Sequence, residues 1–91
     1  MSATDHVRLT DQVVVRDLVD ETVLLSFDSG RYYRLDSTGG TMLQAVLAHG
    51  TIGGASGALA DSGWGARAEV AEDLLTFCRQ LEALHLVQVQ G

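Results

Sequence analysis

Ninety-one residues, 46% of them apolar, make one small domain over residues 1–91, with a core that buries roughly 60–65% of the unfolded surface and little room for an enclosed active-site cavity. Six arginines and no lysine face twelve acids, a net charge of −6; this argues against a reader of phosphate backbones and suits either a basic peptide partner or plain solubility. No run approaches the ~20 apolar residues of a membrane span, no basic-then-apolar start marks a secretory signal, and the lone Cys78 excludes an internal disulfide, so a soluble cytoplasmic protein is the expectation.

Residues 1–6 are polar and expected to fray. Val13-Val14-Val15, within Arg8–Asp17, reads as a first strand, and Asp17–Glu21 as an acidic turn. In the next strand Val23, Leu25 and Phe27 alternate with Leu24, Ser26 and Asp28, giving it one apolar face. Asp28-Ser29-Gly30 then turns the chain into Arg31–Leu35. A two-residue loop would oppose Leu25 to Arg34. A three-residue loop, with Gly30 left-handed, opposes Leu25 to Tyr33 and Val23 to Leu35. The second keeps Arg34 out of the core, so Val23, Leu25, Phe27, Tyr33 and Leu35 are expected inward, with Leu24, Ser26, Tyr32 and Arg34 outward.

Asp36 or Ser37 caps a helix with Met42, Leu43, Val46 and Leu47 on one stripe, and Gly50 stops it. Thr51 opens a poorer helix over Ile52–Asp61, where Gly53, Gly54 and Gly57 each cost about 1 kcal/mol of propensity against alanine; tertiary packing must hold it, and it is expected to be mobile. Ser62–Gly65 is a turn. The last helix spans about Ala68–Leu84. Val70, Leu74, Phe77, Leu81 and Leu84 form its stripe, and Ala71, Leu75 and Cys78 widen it beyond the ~100° a surface helix needs. Leu86–Val89 alternates, as a short strand or an extended tail.

Catalytic and metal chemistry lack residue sets. Cys78 sits on an apolar helix face, and the one cation nearby in sequence, Arg79, is expected to point elsewhere, as for a structural thiol. His6, His49 and His85 share no ligand spacing, and one cysteine completes no zinc site. The glycines at 50–65 lack the frame and ending of a phosphate loop. No catalytic residue, metal or cofactor is therefore assigned. Glu69, Glu72 and Asp73 complement a helix N-terminus or form an acidic lip beside a groove. Tyr32, facing away from the core, is either sheet surface or the rim of a partner site.

The ordered set of Val23-Leu24-Leu25, Gly30 to Asp36, the Gly39–Leu47 helix, and Asp73-Leu74 through Phe77, Leu81 and Leu86-Val87 resembles the PqqD family, also called the RiPP recognition element. Its hairpin is most similar to that of the stand-alone lasso-peptide biosynthesis proteins called B1. The resemblance spans residues 8–88. It implies an α+β, winged helix-turn-helix-like domain with a three-stranded antiparallel sheet followed by three helices. It further implies a non-catalytic module that binds the leader of a ribosomally made precursor peptide by strand addition. The docking strand would be Arg31, Tyr32, Tyr33, Arg34 and Leu35, and the groove wall Asp73, Leu74, Phe77, Cys78 and Leu81. Lasso leaders commonly carry a Tyr-x-x-Pro element, whose rings need an apolar pocket there. A separate, B2-type cysteine leader peptidase is implied as partner, because its Cys-His-Asp set is absent from this chain. Where many members have glycine before the terminal Leu-Val, this chain has His85, which bears on the end of the last helix. The alternatives are a winged-helix DNA-binding or transcription-associated domain, and a PqqD-like peptide chaperone for a radical SAM enzyme.

Overall fold

The computed structural model describes residues 1–90. The elements run β1 (His6–Leu9), β2 (Val13–Asp17), β3 (Thr22–Ser26), β4 (Tyr32–Leu35), α1 (Ser37–His49), α2 (Ile52–Asp61), α3 (Arg67–Ala83) and β5 (Val87–Gln90). This is an α+β fold in which a three-stranded antiparallel sheet, ordered β2-β3-β4, precedes three helices. A second sheet pairs β1 with β5, joining Val7 to Val89 and Leu9 to Val87 across the whole chain. The stretch read as one strand within Arg8–Asp17 is thus broken. Arg8 and Leu9 belong to β1, and Thr10–Gln12 turns into β2, where Val13 donates its N–H to the Thr10 carbonyl at 3.2 Å.

Helix boundaries follow local chemistry. Asp36, rather than Ser37, caps α1: its Oδ1 accepts the Gly39 N–H at 2.8 Å, satisfying an orphan donor of the first turn. Gly50, left-handed at φ 79°, closes α1. Thr51 Oγ1 accepts from Gly54 N at 3.0 Å to open α2. That glycine-rich helix buries Ile52, Ala55, Ser56 and Leu59 between α1 and α3, so packing compensates for propensity. The Ala3 carbonyl accepts the Gly53 N–H at 2.9 Å, and Asp5 accepts from the Ser2 N–H at 2.9 Å. The opening residues thereby form a turn against α2 where fraying was expected.

The hairpin register differs from the expected one. Leu24 opposes Tyr33 and Leu25 opposes Tyr32, so the loop is four residues, Phe27–Gly30, and not three. Tyr33 and Leu35 do face inward, with Tyr32 and Arg34 outward, but the faces of β3 are exchanged. Leu24 is wholly buried, Thr22 and Ser26 are buried beside it, and Phe27 is 62% exposed. One local and one distant contact hold this register. The Phe27 N–H goes to the Gln12 carbonyl at 2.8 Å, continuing the β2–β3 pairing past Val13 and Ser26, and Gly30, at φ 72°, returns its N–H to the Ser26 carbonyl and closes the four-residue loop. On the inner face Gly40 lies against the Thr22 side chain so closely that a Cβ on Gly40 would collide with it. A leucine would not fit where Thr22 stands, and a valine, though of the same shape, would lack the hydroxyl that Thr22 donates to Asp17. The core gathers Leu24 with Leu43, Val46, Ile52, Leu74, Leu81, Leu86 and their neighbours.

Candidate functional site

β4 pairs with β3 on one side only and is a free edge of its sheet. Ser26 donates its N–H to the Arg31 carbonyl at 2.9 Å. Antiparallel alternation then turns the main-chain groups of Arg31, Tyr33 and Leu35 toward β3 and leaves those of Tyr32 and Arg34 on the open edge. The edge thus offers N–H and C=O groups at alternate residues, the pattern that a further strand requires.

The side chains along this edge divide by face. Tyr33 and Leu35 are half-buried against the core. Tyr32 is 61% exposed, and the Arg34 guanidinium carbon lies 5.8 Å from its ring centroid, a cation–π contact. Below the strand, an open cleft of about 740 Å³ separates the hairpin from the C-terminal end of α3. Ser26, Asp28, Ser29, Arg31 and Tyr33 line one side, and Ala83, Leu84 and His85 the other, with Thr10 and Gln12 completing it.

The cleft's α3 wall is built by the way that helix ends. Leu84 is the C-cap, and His85 adopts φ 60°. His85 N–H bonds the Glu82 carbonyl at 2.9 Å and Leu86 N–H the Leu81 carbonyl at 2.9 Å. This is a Schellman ending with a histidine in the left-handed position that glycine favours. It buries Leu86 against the core and leaves Leu84 45% exposed in the cleft.

The residues expected on the groove wall lie on one helix but at different depths. Leu74, Cys78 and Leu81 are buried in the core at 0%, 1% and 4% exposure. Phe77 is half-buried at the core margin, and Asp73 is exposed. The deep line on α3 is Val70, Leu74, Cys78 and Leu81, so Phe77 and Leu84 flank it rather than belong to it. Burial pushes the Cys78 thiol up to about 11, with the Glu82 charge adding to the effect; such a thiol is a poor nucleophile. Leu84 and His85 were absent from the expected wall, although the width of the apolar arc pointed to Leu84. Thr10 and Gln12 carried no signal, because only the fold brings them near Tyr33.

Of the three acids, Glu69 alone fits macrodipole complementation, since Glu72 and Asp73 lie beyond the first turn. α3 has no side-chain cap at Ala66, and Glu69 stands in its first turn. Of the two arginines on α3, Arg67 donates to the Gly53 carbonyl at 3.3 Å. Among the described residues, no helix is long and apolar enough to cross a membrane, and no three His, Cys, Asp or Glu side chains gather as a metal site needs.

Residues 21–87 match the family described as Coenzyme PQQ synthesis protein D (PqqD). No curated protein matches the chain. Among solved structures, the chain is similar to that described as TbiB1 in complex with the TbiA(beta) leader peptide. Identity there is 27% and the TM-score 0.81, over 89% of this chain and 94% of that one. A lasso peptide synthetase B1 complexed with the leader peptide shares the fold at 20% identity and TM-score 0.81, over 91% of this chain and 98% of that one.

Proposed function

Because the chain belongs to the PqqD family, we propose that it is a leader-binding protein of lasso-peptide biosynthesis, taking a precursor's leader as an added antiparallel strand on β4. The observation that carries this is the free β4 edge standing beside a cleft at the end of α3. The relative at 27% identity is described in complex with a leader peptide, which supports leader binding as the use of this site. Main-chain bonds to Tyr32 and Arg34 would supply affinity, and the half-buried Tyr33, Leu35 and Phe77 would grip inward-facing leader side chains. Asp73 and Arg31 would border the site. Leu74, Cys78 and Leu81 form its floor, acting through the position of α3 rather than by contact.

In this reading the protein is a binding partner and not a catalyst, in keeping with a buried, protonated Cys78. We read the helices and sheet together as winged helix-turn-helix-like. The chain works in the cytoplasm, where precursors are made, and hands the leader to a separate cysteine peptidase of the B2 type. Holding substrate beside that enzyme raises its effective concentration without chemistry by this chain. A DNA-binding use is disfavoured by the acids of α3 and by the engagement of Arg67 with α2.

The test is a fluorescence-anisotropy titration with the labelled leader of the chain's own precursor. Tyr32→Ala removes a side chain, whereas Tyr32→Pro also removes an open-edge N–H at a position where an edge strand tolerates proline. One lost main-chain bond is worth about 0.5–1.5 kcal/mol, so Tyr32→Pro should bind several-fold more weakly than Tyr32→Ala. Equal affinities for the two folded variants would remove β4 as the docking strand.

A further inference from the structure

The outer face of the sheet, opposite the helices, has a chemistry that the docking edge extends. Register places two rows across it, Val14–Leu25–Tyr32 and Arg16–Val23–Arg34. The first row is apolar and ends on an exposed tyrosine. The second carries arginine at both ends. None of these six outer positions holds a carboxylate, in a chain with twelve acids. Asp17, the acid on β2, stands on the inner face, where it accepts the Thr22 hydroxyl at 3.0 Å. The Arg34 guanidinium lies over the Tyr32 ring, a contact that leaves its donors free for a further partner.

A strand added to β4 continues both rows, since directly opposed residues share a face about 4.5–5.5 Å apart. Its residue opposite Tyr32 prolongs the apolar row. Its residue opposite Arg34 joins the row of guanidinium groups. The overall charge of −6 acts through solvent and is screened beyond about 8–10 Å, so the adjacent guanidinium decides preference at that position. We propose that Arg34 is a specificity-determining residue: the docking peptide carries an aspartate or glutamate opposite it, followed two residues later by an apolar or aromatic residue opposite Tyr32. The two-residue order comes from antiparallel pairing, in which the partner meets Arg34 before Tyr32. This inference rests on the β4 docking reading and adds the side-chain chemistry that the edge selects.

The probe is a phage-displayed library of random twelve-residue peptides, selected in parallel on the wild type, Arg34→Ala and Arg34→Glu. Binders are then sorted by their loss on Tyr32→Pro. Edge-dependent binders from the wild type should share an acid with an apolar or aromatic residue two places on. A synthetic labelled binder should lose about 2- to 5-fold in affinity on Arg34→Ala, and Arg34→Glu should select lysine or arginine at the same position. Edge-dependent binders without an acidic preference, or with one unchanged by Arg34→Glu, overturn the role of Arg34 and leave β4 docking standing. A selection in which no binder depends on the β4 edge overturns both.

Discussion

At the scale of single residues, the end of α3 depends on the backbone of His85. This residue takes the left-handed turn at φ 60° that ends α3, where a Cβ costs about 1–2 kcal/mol. Leu86 is thereby buried and Leu84 held in the cleft. Part of the gain from a glycine is offset by its greater freedom in the unfolded chain. His85→Gly is therefore expected to raise unfolding stability by about 0.5–1 kcal/mol, read as a higher urea midpoint with unchanged slope. A lower midpoint would mean that the His85 side chain contributes more than its backbone strain costs. The resemblance marked the residue as a departure from glycine at the end of the last helix, and that is where the backbone is left-handed.

At the scale of elements, legibility divides by the range of the signal. The α1 and α2 boundaries could be read because their caps are local. Asp36 meets Gly39, Thr51 meets Gly54, and Gly50 closes a turn, each within four residues. The faces of β3 could not be read in the same way. Alternation offers two faces and leaves the choice to contacts made elsewhere, here the Gln12–Phe27 bond and the approach of Gly40 to Thr22. The apolar Val23 and Leu25 looked like core, yet the place against Gly40 is filled by Thr22, whose hydroxyl donates to Asp17, and has no room for a leucine. The glycines can be tested as elements of packing. A methyl on Gly57 would meet only the end of the flexible Arg67 side chain, at 3.4 Å, whereas one on Gly40 would drive into Thr22. Gly57→Ala should stabilise by about 0.5–1 kcal/mol through helix propensity, and Gly40→Ala should destabilise by about 1–3 kcal/mol through overpacking. Equal shifts in urea denaturation would contradict this account of how α1 and α2 are seated.

At the scale of the whole molecule, the pairing of β1 with β5 was out of reach of local pattern. It joins His6 to Gln90 through four-residue strands, His-Val-Arg-Leu and Val-Gln-Val-Gln, whose alternation marks a strand but does not name its partner. Once made, it places Thr10 near His85, whose carbonyl accepts the Thr10 hydroxyl at 3.0 Å, and so closes the lower side of the cleft. The outward places of Tyr32 and Arg34 were legible from the hairpin itself and held although the register slipped, whereas the strand order β2-β3-β4 is what leaves β4 a free edge. The central claim, that a leader pairs with this edge, makes a residue-by-residue statement about amide protection. In hydrogen exchange followed by NMR, the Tyr33 and Leu35 amides should be protected with or without the leader. Those of Tyr32 and Arg34 should exchange quickly in the free protein and become protected when the leader is bound. Unchanged fast exchange at Tyr32 and Arg34 with saturating leader would contradict the account.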